Sequence, residues 1–512
     1  MAHEKVANVL WKLLQSSGST WATISGLETA LAKNGIRYSE WKTDKQFVFH
    51  KDYVTLKRIN DQEDAIAYST LRLLYCGINR FAYIKDDYID KLIDKFEMEA
   101  NGGRKLHIHQ RDAVKKVVKY NFSILTGGPG TGKTTVLSCI TYVLRKIQAE
   151  QQIIFTAPTG KAARRIKEST GEFARTTCKE FGITPEEKSA YEFEGNVLFI
   201  DESSMNDNET LSLILSAVKE GKKVCLVGDV DQLPSVGIGA CLRDLIESKV
   251  VPVTMLTHTF RQDNSSELFV NISNIREGSA EIVDGDDYHS YRLPDNLPNE
   301  EIEALAIEKI REIYREQINK YGAENVVVLV PFRQRNLCSV SVNKWVQRIA
   351  NKKTAGYRHV FEDGHNETFC VDDYVMQLEN LEECANGDVG QIVAVSEKGI
   401  DVKYIDCTVH YELDELDQLA LAYAMTIHKS QGSEYPCVIM CLLDEHSLML
   451  SRNLLYTGVT RAKKECCLIY QEAAYKTAVS TVADANRITM LKEKLIKLNN
   501  VYVMSKGVRK IA

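Results

Sequence analysis

The sequence predicts an α/β protein with two parallel-sheet domains, a small β-barrel inserted in the second of them, and a mainly helical N-terminal domain. From Leu106 onward, short apolar segments alternate with helical segments. Those segments are apolar almost throughout, as strands covered by helices on both faces must be. The alternation is interrupted over about residues 355–415, where short strands and turns dominate. A chain of 512 residues also exceeds what one hydrophobic core holds.

The predicted boundaries follow these changes of pattern. We expect an N-terminal domain over 1–100, a first sheet domain over 101–285, the start of the second sheet domain over 286–354, the barrel over 355–415, and the rest of the second domain with a C-terminal tail over 416–512.

Residues 1–100 predict two helices and a hairpin. Apolar residues at positions 6, 9, 10, 13 and 14 have helical spacing, and a second helix follows Ser25 and ends near Asn34–Gly35. The alternation in KQFVFHKDYVTLKRI predicts a β-hairpin. Such a set fits a DNA-binding winged helix and fits a packing domain equally well, so both interpretations stay open.

Seven apolar segments are predicted to form the parallel strands. Four belong to the first sheet, namely FSILT (122–126), IIFTA (153–157), VLFID (197–201) and KVCLVGD (223–229). Three belong to the second, namely VVVLV (326–330), CVIMCLL (437–443) and ECCLIY (465–470).

Composition excludes several classes of protein. No apolar run approaches the roughly 18 residues of a membrane span, and the N-terminus carries no signal-peptide pattern, so a cytoplasmic protein with no membrane contact is expected. The net charge of −6 argues against a coat protein held on DNA by bulk charge, although a local basic groove is compatible with it. The 13 cysteines are scattered without a Cys-x-x-Cys pair, which favours buried thiols over a zinc or iron–sulfur site.

The segment GGPGTGKTT follows a predicted strand and opens a helix. Its glycines let backbone N–H groups surround phosphates, and the start of the helix adds partial positive charge. Lys133 is expected to reach the β- and γ-phosphates of ATP, and Thr134 to ligate Mg²⁺. The predicted nucleotide-binding residues of this loop are Gly127, Gly128, Pro129, Gly130, Thr131, Gly132, Lys133, Thr134 and Thr135.

Two further strand ends supply the polar groups for hydrolysis. VLFIDESSM places Asp201 beside the magnesium and leaves Glu202 to activate the attacking water. LVGDVDQ places Asp229 and Gln232 beside the γ-phosphate, where Gln232 is expected to bond the phosphate or to position water.

Four blocks identify the type of ATPase. In order they are TAPTGKAARRI (156–166), HTFRQ (258–262), AYAMTIHKSQGSEY (422–435) and LLYTGVTRAKK (454–464). With the phosphate loop they resemble the RecD-like superfamily 1B helicases over about residues 105–470. The resemblance implies two RecA-like motor domains, a 5′→3′ polarity and an adenine-reading role for Gln110. It also implies that Arg261 and Arg461 contact the γ-phosphate, where the alternative for each is a surface salt bridge.

The resemblance implies single-strand contacts from loops of both sheet domains. Hydroxyls and amides at such positions hold phosphates without reading bases. The predicted contacts are Pro158, Thr159 and Lys161 in the first domain, and Thr426, His428, Lys429, Ser430 and Gln431 in the second. For His428 a purely structural role is the alternative.

The chain departs from the family pattern at two places. Where relatives have Thr-[Ile/Leu]-His-[Arg/Lys], this chain has Thr176-Thr177-Cys178-Lys179, so the histidine is missing. The interval that holds a duplex-splitting β-hairpin in relatives, here 182–196, has room only for a short pin. We therefore expect translocation to be better supported than strong unwinding.

Three functions follow as hypotheses. The first is an ATP-dependent 5′→3′ DNA helicase of recombination, repair or replication that acts on single-stranded DNA and on duplex with a 5′ tail. The second is a DNA-stimulated ATPase subunit of a larger nuclease or repair complex, with little unwinding alone. The third, a nucleotide-gated scaffold, is disfavoured by the set of Lys133, Glu202 and Arg461. The C-terminal LKEKLIKLNN is expected to pack as a helix, and the basic end (Lys506, Arg509, Lys510) to be a solvated tail.

Overall fold

A computed structural model describes residues 2–36, 40–184, 189–258, 260, 266–334, 337–381 and 383–506. Arg261, Arg509, Lys510 and the side chain of Lys506 lie outside this described part. None of the described helices is long and apolar enough to cross a membrane.

The N-terminal part contains four described helices and a small sheet. Its elements are α1 Ala2–Ser17, β1 Ala22–Thr23, α2 Ile24–Lys33, β2 Phe47–His50, β3 Tyr53–Leu56, α3 Lys57–Tyr75 and α4 Asp86–Glu99. The predicted helices and hairpin are confirmed, and α2 ends at Lys33 with Asn34 as its C-terminal cap, close to the expected end. The sequence missed α3 and α4. The strands are antiparallel in the order β1-β3-β2, and a winged-helix function stays a prediction.

The first large sheet has six parallel strands in the order β6-β5-β7-β8-β4-β9. The four predicted strands are confirmed, and β6 and β9 were missed. The elements are α5 Ile108–Lys119, β4 Phe122–Gly127, α6 Lys133–Ile147, β5 Ile153–Ala157, α7 Gly160–Thr170, β6 Phe173–Thr176, α8 Thr177–Phe181, β7 Val197–Ile200, α9 Asn208–Ala217, β8 Lys223–Gly228, α10 Cys241–Glu247, β9 Val253–Leu256 and α11 Glu267–Glu277.

The rest of the described chain adds a second parallel sheet and an antiparallel insertion. Its elements are β10 Tyr288–Arg292, α12 Asn299–Tyr321, β11 Val326–Val330, α13 Ser339–Ala350, β12 Gly356–Val360, β13 Asn366–Cys370, β14 Tyr374–Gln377, β15 Val389–Val395, β16 Gly399–Lys403, β17 Thr408–Glu412, β18 Leu419–Leu421, β19 Ala424–Thr426, β20 Tyr435–Leu442, α14 Arg452–Val459, β21 Ala462–Tyr470, α15 Glu472–Ser480 and α16 Leu491–Lys506.

The second parallel sheet has the order β10-β21-β20-β11-β19, which confirms the three strands predicted for it. The insertion contains a five-stranded antiparallel sheet in the order β17-β16-β15-β14-β18 and a separate hairpin of β12 and β13. Its closure into a barrel stays a prediction. The chain is thus α/β, with both parallel sheets covered by helices.

The interval expected to hold a pin lies against the first sheet domain. Its described residues, 182–184 and 189–196, contain no strand. The backbone N–H of Tyr191 donates to the carbonyl of Phe181 at 2.7 Å, and the buried Phe193 ring stacks on Phe181 with centroids 6.2 Å apart. The described part of the interval is therefore held by packing against α8.

Helix α16 returns from the second sheet to the N-terminal part and the first sheet. Leu491 and Leu495 are buried in one apolar cluster with residues of α3 and α9, which confirms their predicted packing role. Just before the helix, Arg487 donates to the carbonyl oxygens of Ser235 at 2.8 Å and Gly239 at 2.6 Å. The segment therefore fastens the loop after β8.

The cysteines are free thiols. Ten of the 13 are buried, Cys76 and Cys407 are partly buried, and Cys178 is exposed. The expectation of buried thiols is therefore confirmed for most of them, including Cys437 and Cys441 of β20.

Candidate nucleotide site and adjoining strand surface

A cavity of about 250 Å³ lies between the two parallel-sheet domains. We call it the nucleotide cavity. The predicted residues that line it are Gly128, Pro129, Gly130, Thr131, Gly132, Lys133, Thr134, Asp201, Glu202, Gln232 and Arg461. Gly127, Thr135 and Gln110 are not among the lining residues. Residues that sequence reasoning did not assign to the site also line it, namely Leu137, Ala162, Arg165, Ile166, Ser169, Phe260, Gly432 and Glu434.

The loop between β4 and α6 has the backbone form that its glycines allow. Gly130 and Gly132 have φ angles of 70° and 78°, in the left-handed region. A Cβ atom at Gly132 would lie 2.5 Å from Nε2 of Gln110, and the left-handed backbone at this position also disfavours any residue with a side chain. The Lys133 ammonium donates to the carbonyl of Gly128 at 2.9 Å. The loop therefore surrounds a cation at the start of a helix, an arrangement suited to phosphate.

Gln110 joins helix α5 to this loop. Its Oε1 accepts from the backbone N–H of His107 at 3.0 Å, and its Nε2 donates to the carbonyl of Thr131 at 3.1 Å. The side chain is buried and does not line the nucleotide cavity, so its adenine-reading role stays a prediction.

Phe260 is a site residue that sequence reasoning missed. Its backbone N–H donates to the carbonyl of Gly130 at 2.7 Å, and its ring lines the cavity with 48% exposure. His107 and His258 stack beside it, with centroids 4.8 Å apart. The sequence signal for it is its place in HTFRQ, next to the predicted phosphate contact Arg261. An exposed ring at a cavity wall is suited to stacking on a planar base.

Asp201 and Glu202 follow β7 at the cavity wall. Glu202 has a φ of 47°, a rare left-handed conformation for a residue with a side chain. Burial raises the pKa of both carboxyl groups, and Asp201 raises that of Glu202 further, while the Lys133 charge lowers both. These two half-buried acidic groups and the Thr134 hydroxyl line the same cavity, and together they form an oxygen-rich set that fits a magnesium ion.

The side-chain oxygen of Gln232 is a buried hydrogen-bond acceptor at the nucleotide cavity. Nε2 of the same side chain donates to Oδ2 of Asp229 at 3.3 Å, whereas Oε1 is buried with no hydrogen-bond partner among the described residues. A carbonyl oxygen accepts from water but has nothing to accept from an ionised phosphate. Of the two roles expected for Gln232, this geometry favours positioning water.

Arg461 reaches the cavity from the end of α14. It is 3% exposed, and it donates to the carbonyls of Thr457 at 3.0 Å and Ser433 at 3.2 Å. The alternative of a surface salt bridge is therefore wrong for Arg461, because the group is buried on carbonyl oxygens. Its charge also lowers the pKa of Glu202.

The loop after β8 is bonded directly to the second sheet domain. The backbone N–H of Leu233 donates to Oγ1 of Thr457 at 2.8 Å, and Nδ2 of Asn453 donates to the carbonyl of Gln232 at 3.1 Å. The Tyr456 hydroxyl donates to Oδ2 of Asp229 at 3.1 Å. The residue that carries the free acceptor is thus held by both domains.

The loops expected to contact a single strand meet beside this cavity. Thr159 caps α7 by accepting from the N–H of Ala162, and a Cβ atom at Gly432 would lie 3.0 Å from its hydroxyl. Lys161 places its ammonium 4.7 Å from the ring centre of Tyr435. We define the strand surface as the half-buried or exposed residues of the two loops, namely Pro158, Thr159, Lys161, Thr426, His428 and Lys429.

Ser430 and Gln431 differ from this expectation. Ser430 is buried and donates to the carbonyl of Ile427 at 2.7 Å. Gln431 is also buried and donates to the carbonyl of Leu233 at 3.3 Å, so it ties the two domains together. Both side chains are used inside the protein in this structure. Burial lowers the pKa of His428, which favours its neutral form.

The arginines of α7 are bound by the second half of the chain. Arg164 pairs with Asp406 at 3.2 Å, and Arg165 pairs with Glu434 at 3.1 Å. These two arginines therefore link the first sheet domain to the second half of the chain and do not form a free cationic face.

Two family models match the chain. The AAA domain matches residues 105–291, and the UvrD-like helicase C-terminal domain matches residues 421–469. Among solved structures, a Pif1 helicase from Bacteroides in complex with ADP-AlF3 and ssDNA has 18% identity and a TM-score of 0.47, covering 80% of this chain and 100% of its own.

Curated relatives span most of the chain. The ATP-dependent RecD2 DNA helicase of Deinococcus radiodurans is 30% identical over 78% of this chain, which spans about half (54%) of that relative. The RecBCD enzyme subunit RecD of Mycolicibacterium smegmatis is 30% identical, over 75% of this chain and 74% of its own length. With the motif order and the two-sheet architecture, these matches show that the chain belongs to the RecD family of superfamily 1B helicases.

Proposed function

We propose that this protein is an ATP-dependent DNA helicase that moves 5′→3′ along single-stranded DNA and separates duplex. The observation that carries the proposal is the nucleotide cavity, with the phosphate loop on one wall and Arg461 on the other. Hydrolysis in a cavity shared by two domains changes what holds them together. That change can move the two halves of the strand surface relative to each other.

The roles of the cavity residues follow from their positions. Lys133 and the loop N–H groups hold the β- and γ-phosphates, and Arg461 stabilises the charge that develops on the transferred phosphoryl group. Glu202, whose pKa is raised by burial, accepts the proton of a water that Gln232 orients.

Thr134 and Asp201 would hold Mg²⁺, which supplies charge neutralisation at the phosphates. Arg261 is proposed as a second phosphate contact on sequence grounds.

The strand surface provides a sequence-tolerant grip. Thr159 and Thr426 offer hydroxyls, Lys161 and Lys429 offer ammonium groups, and all four stand at the junction of the two domains. Contacts of this kind hold the backbone and leave the bases unread. The inserted antiparallel sheet, which receives a hydrogen bond from Lys429 through Asn386 at 3.0 Å, forms the proposed outer wall of this path.

A DNA-stimulated ATPase that unwinds little by itself is the second candidate. One observation favours it, because the described residues of 182–196 pack on α8 and contain no hairpin. A protein partner in a repair or nuclease complex would then supply the element that splits the duplex.

One experiment separates these candidates. ATP turnover is measured with and without oligodeoxythymidylate, and strand displacement is measured on duplexes with a 5′ or a 3′ tail. The helicase proposal expects stimulated turnover and displacement of the 5′-tailed duplex only. Stimulated turnover without displacement supports the second candidate, and displacement from 3′ tails contradicts the polarity.

The Lys133→Ala variant tests the cavity itself. Loss of the ammonium removes a charge-assisted contact to the transferred group, so DNA-stimulated turnover is expected to fall by at least about a hundredfold. Lys146→Ala is the matched control, because Lys146 lies on the same helix with its ammonium over the Tyr142 ring. Undiminished turnover in Lys133→Ala would contradict the proposed site.

A further inference from the structure

An exposed tryptophan surrounded by cations lies outside both the nucleotide cavity and the strand surface. Lys344, Trp345 and Arg348 are exposed along helix α13. Trp345 is 42% exposed, and the Arg311 guanidinium of α12 has its carbon 6.0 Å from the ring centre. A large apolar ring held in solvent among cations is typical of a binding surface. We call these four residues the tryptophan patch.

The other tryptophans show how unusual this position is. Trp21 and Trp41 are each 2% exposed within the N-terminal part. Trp11 is partly buried, with the Arg58 guanidinium 4.3 Å from its ring centre. Trp345 is thus the tryptophan whose indole is most accessible to a ligand.

The cations of the tryptophan patch are available to an anion. Among the residues that the structure describes, none of Arg311, Lys344 and Arg348 forms an ion pair, in contrast to the arginines of α7, which are paired with carboxylates. A cavity of about 480 Å³ borders the ring. The carboxylate in its lining, Asp363, is occupied by hydrogen bonds from His365 and Gln334.

The patch continues the strand surface across the second sheet domain. Gln334 lines the cavity beside Trp345 and follows the exposed Arg333 in the chain. Val330 pairs with Thr426 of the strand surface, and the backbone N–H of Ile427 donates to the carbonyl of Val330 at 3.1 Å, so Arg333, three residues after Val330, leaves the sheet beside the strand surface. A run of cations therefore leads from Lys429 to α13.

We infer that the tryptophan patch is an additional single-stranded DNA subsite, in which a base stacks on Trp345 while Lys344 and Arg348 hold the flanking phosphates. The inference rests on the proposed function, since it extends the path of the same strand. Aromatic rings accept any base, and cations track the backbone, so the subsite adds affinity without sequence preference. Its occupation lengthens the segment of strand that the protein covers.

Fluorescence and affinity test the subsite directly. Titration of the wild type with a long oligodeoxythymidylate is expected to quench tryptophan emission, and Trp345→Phe is expected to lose most of that quenching. Trp345→Ala is expected to weaken binding of the long oligonucleotide by about fivefold to about a hundredfold, as loss of one base–aromatic stack does. A short oligonucleotide that covers the strand surface alone is expected to bind both proteins equally.

Charge is tested separately from stacking. The double variant Lys344→Ala/Arg348→Ala is expected to lower the slope of log Kd against log salt by about 1.4, at about 0.7 for each single-strand phosphate contact. Tyr83→Ala is the matched control for loss of an exposed aromatic ring, since Tyr83 is 92% exposed in the N-terminal part. Far-ultraviolet circular dichroism confirms that each variant is folded.

The outcomes distinguish this inference from the proposed function. If the long oligonucleotide stimulates ATP turnover but Trp345→Ala binds it as tightly as the wild type, the subsite is refuted and the helicase proposal stands. If no oligonucleotide binds the wild type or stimulates turnover, the proposed function fails. Quenching by polyglutamate equal to that by the oligonucleotide also overturns the inference, because the patch would then recognise charge without bases.

Discussion

Gln232 shows how one side chain can separate two roles that the sequence leaves open. The Asp-x-x-Gln pattern after a strand is compatible with bonding the phosphate and with positioning water. The hydrogen bond of its Nε2 to Asp229 fixes the amide so that the buried oxygen has no partner among the described residues, which favours a water donor over a phosphate. That selection depends on the orientation of an amide among tertiary partners, which no local sequence pattern encodes.

Replacing Gln232 by leucine therefore tests a kinetic distinction. Because the lost group orients the attacking water, kcat for DNA-stimulated ATP turnover is expected to fall about a hundredfold while KM for ATP changes little. Gln151→Leu, a buried glutamine outside the cavity, is the control. A rise in KM with unchanged kcat would indicate that Gln232 binds phosphate instead.

Lys223 predicts a dependence of stability on pH. Burial at the start of β8 lowers the pKa of its ammonium to about 7, from about 10.4 in an unfolded chain. Between these values the unfolded state binds more protons, so this group makes the free energy of unfolding rise with pH, by up to about 1.4 kcal/mol per pH unit. Denaturant titrations of Lys223→Met at pH 7 and pH 9 are expected to show a smaller rise than the wild type, and an equal rise would contradict the buried lysine.

At the scale of elements, the sequence predicted the strands that are buried on both faces. Every residue of β4, β7, β8 and β11 is buried, so each reads as a continuous apolar run. The edge strand β6 has the polar sequence FART with two exposed residues, and β9 has one, so neither carries that signal. Helix α3 was missed because its buried face includes the polar residues Glu63 and Thr70, so the apolar residues alone do not show the helical spacing. Whether a strand lies at the edge of a sheet, or which face of a helix is buried, depends on the elements that pack against it, and the local sequence does not show these.

The short helix α14 predicts a coupling between the domains. Its Tyr456 donates to Asp229 across the domain junction, and its hydroxyl would lie 2.9 Å from a Cβ atom at Gly128 of the phosphate loop. Loss of one such hydrogen bond in Tyr456→Phe is expected to raise the oligonucleotide concentration for half-maximal ATP turnover by about two- to tenfold. Tyr475→Phe, a buried tyrosine of the same domain whose hydroxyl has no hydrogen-bond partner among the described residues, is the control. Equal shifts in both variants would exclude a specific coupling.

At the scale of the whole molecule, the phosphate loop and the acidic strand end could be assigned from sequence because each is a local pattern. The junction could not, because Leu233 and Thr457 are 224 positions apart and meet only after two domains dock. The same holds for Arg487, whose guanidinium gathers the carbonyls of the loop after β8. Contacts of this range join the two domains across the cavity.

Removal of the Arg487 guanidinium is predicted to lower the thermal stability of the whole protein. Arg487→Ala leaves the buried carbonyl oxygens of Ser235 and Gly239 without the donor that they have here, which costs about 1–3 kcal/mol for such groups. The midpoint of thermal unfolding is therefore expected to fall by several degrees, as measured by calorimetry. Lys492→Ala, which breaks an exposed pair with Glu247, is expected to change it far less. An equal decrease of the unfolding midpoint in both variants would show that the decrease does not depend on the hydrogen bonds of Arg487.

The return of α16 also orders events during synthesis. The backbone N–H of Met490 donates to the buried carboxylate of Glu63, 427 positions earlier, and Leu491 and Leu495 fill the cluster beside α3. A ribosome that has made the N-terminal part and the first sheet must still translate the second sheet before this gap can be filled. Nascent chains are thus expected to expose an apolar seam on α3 while the second sheet is translated, and this seam is a target for chaperones until α16 emerges.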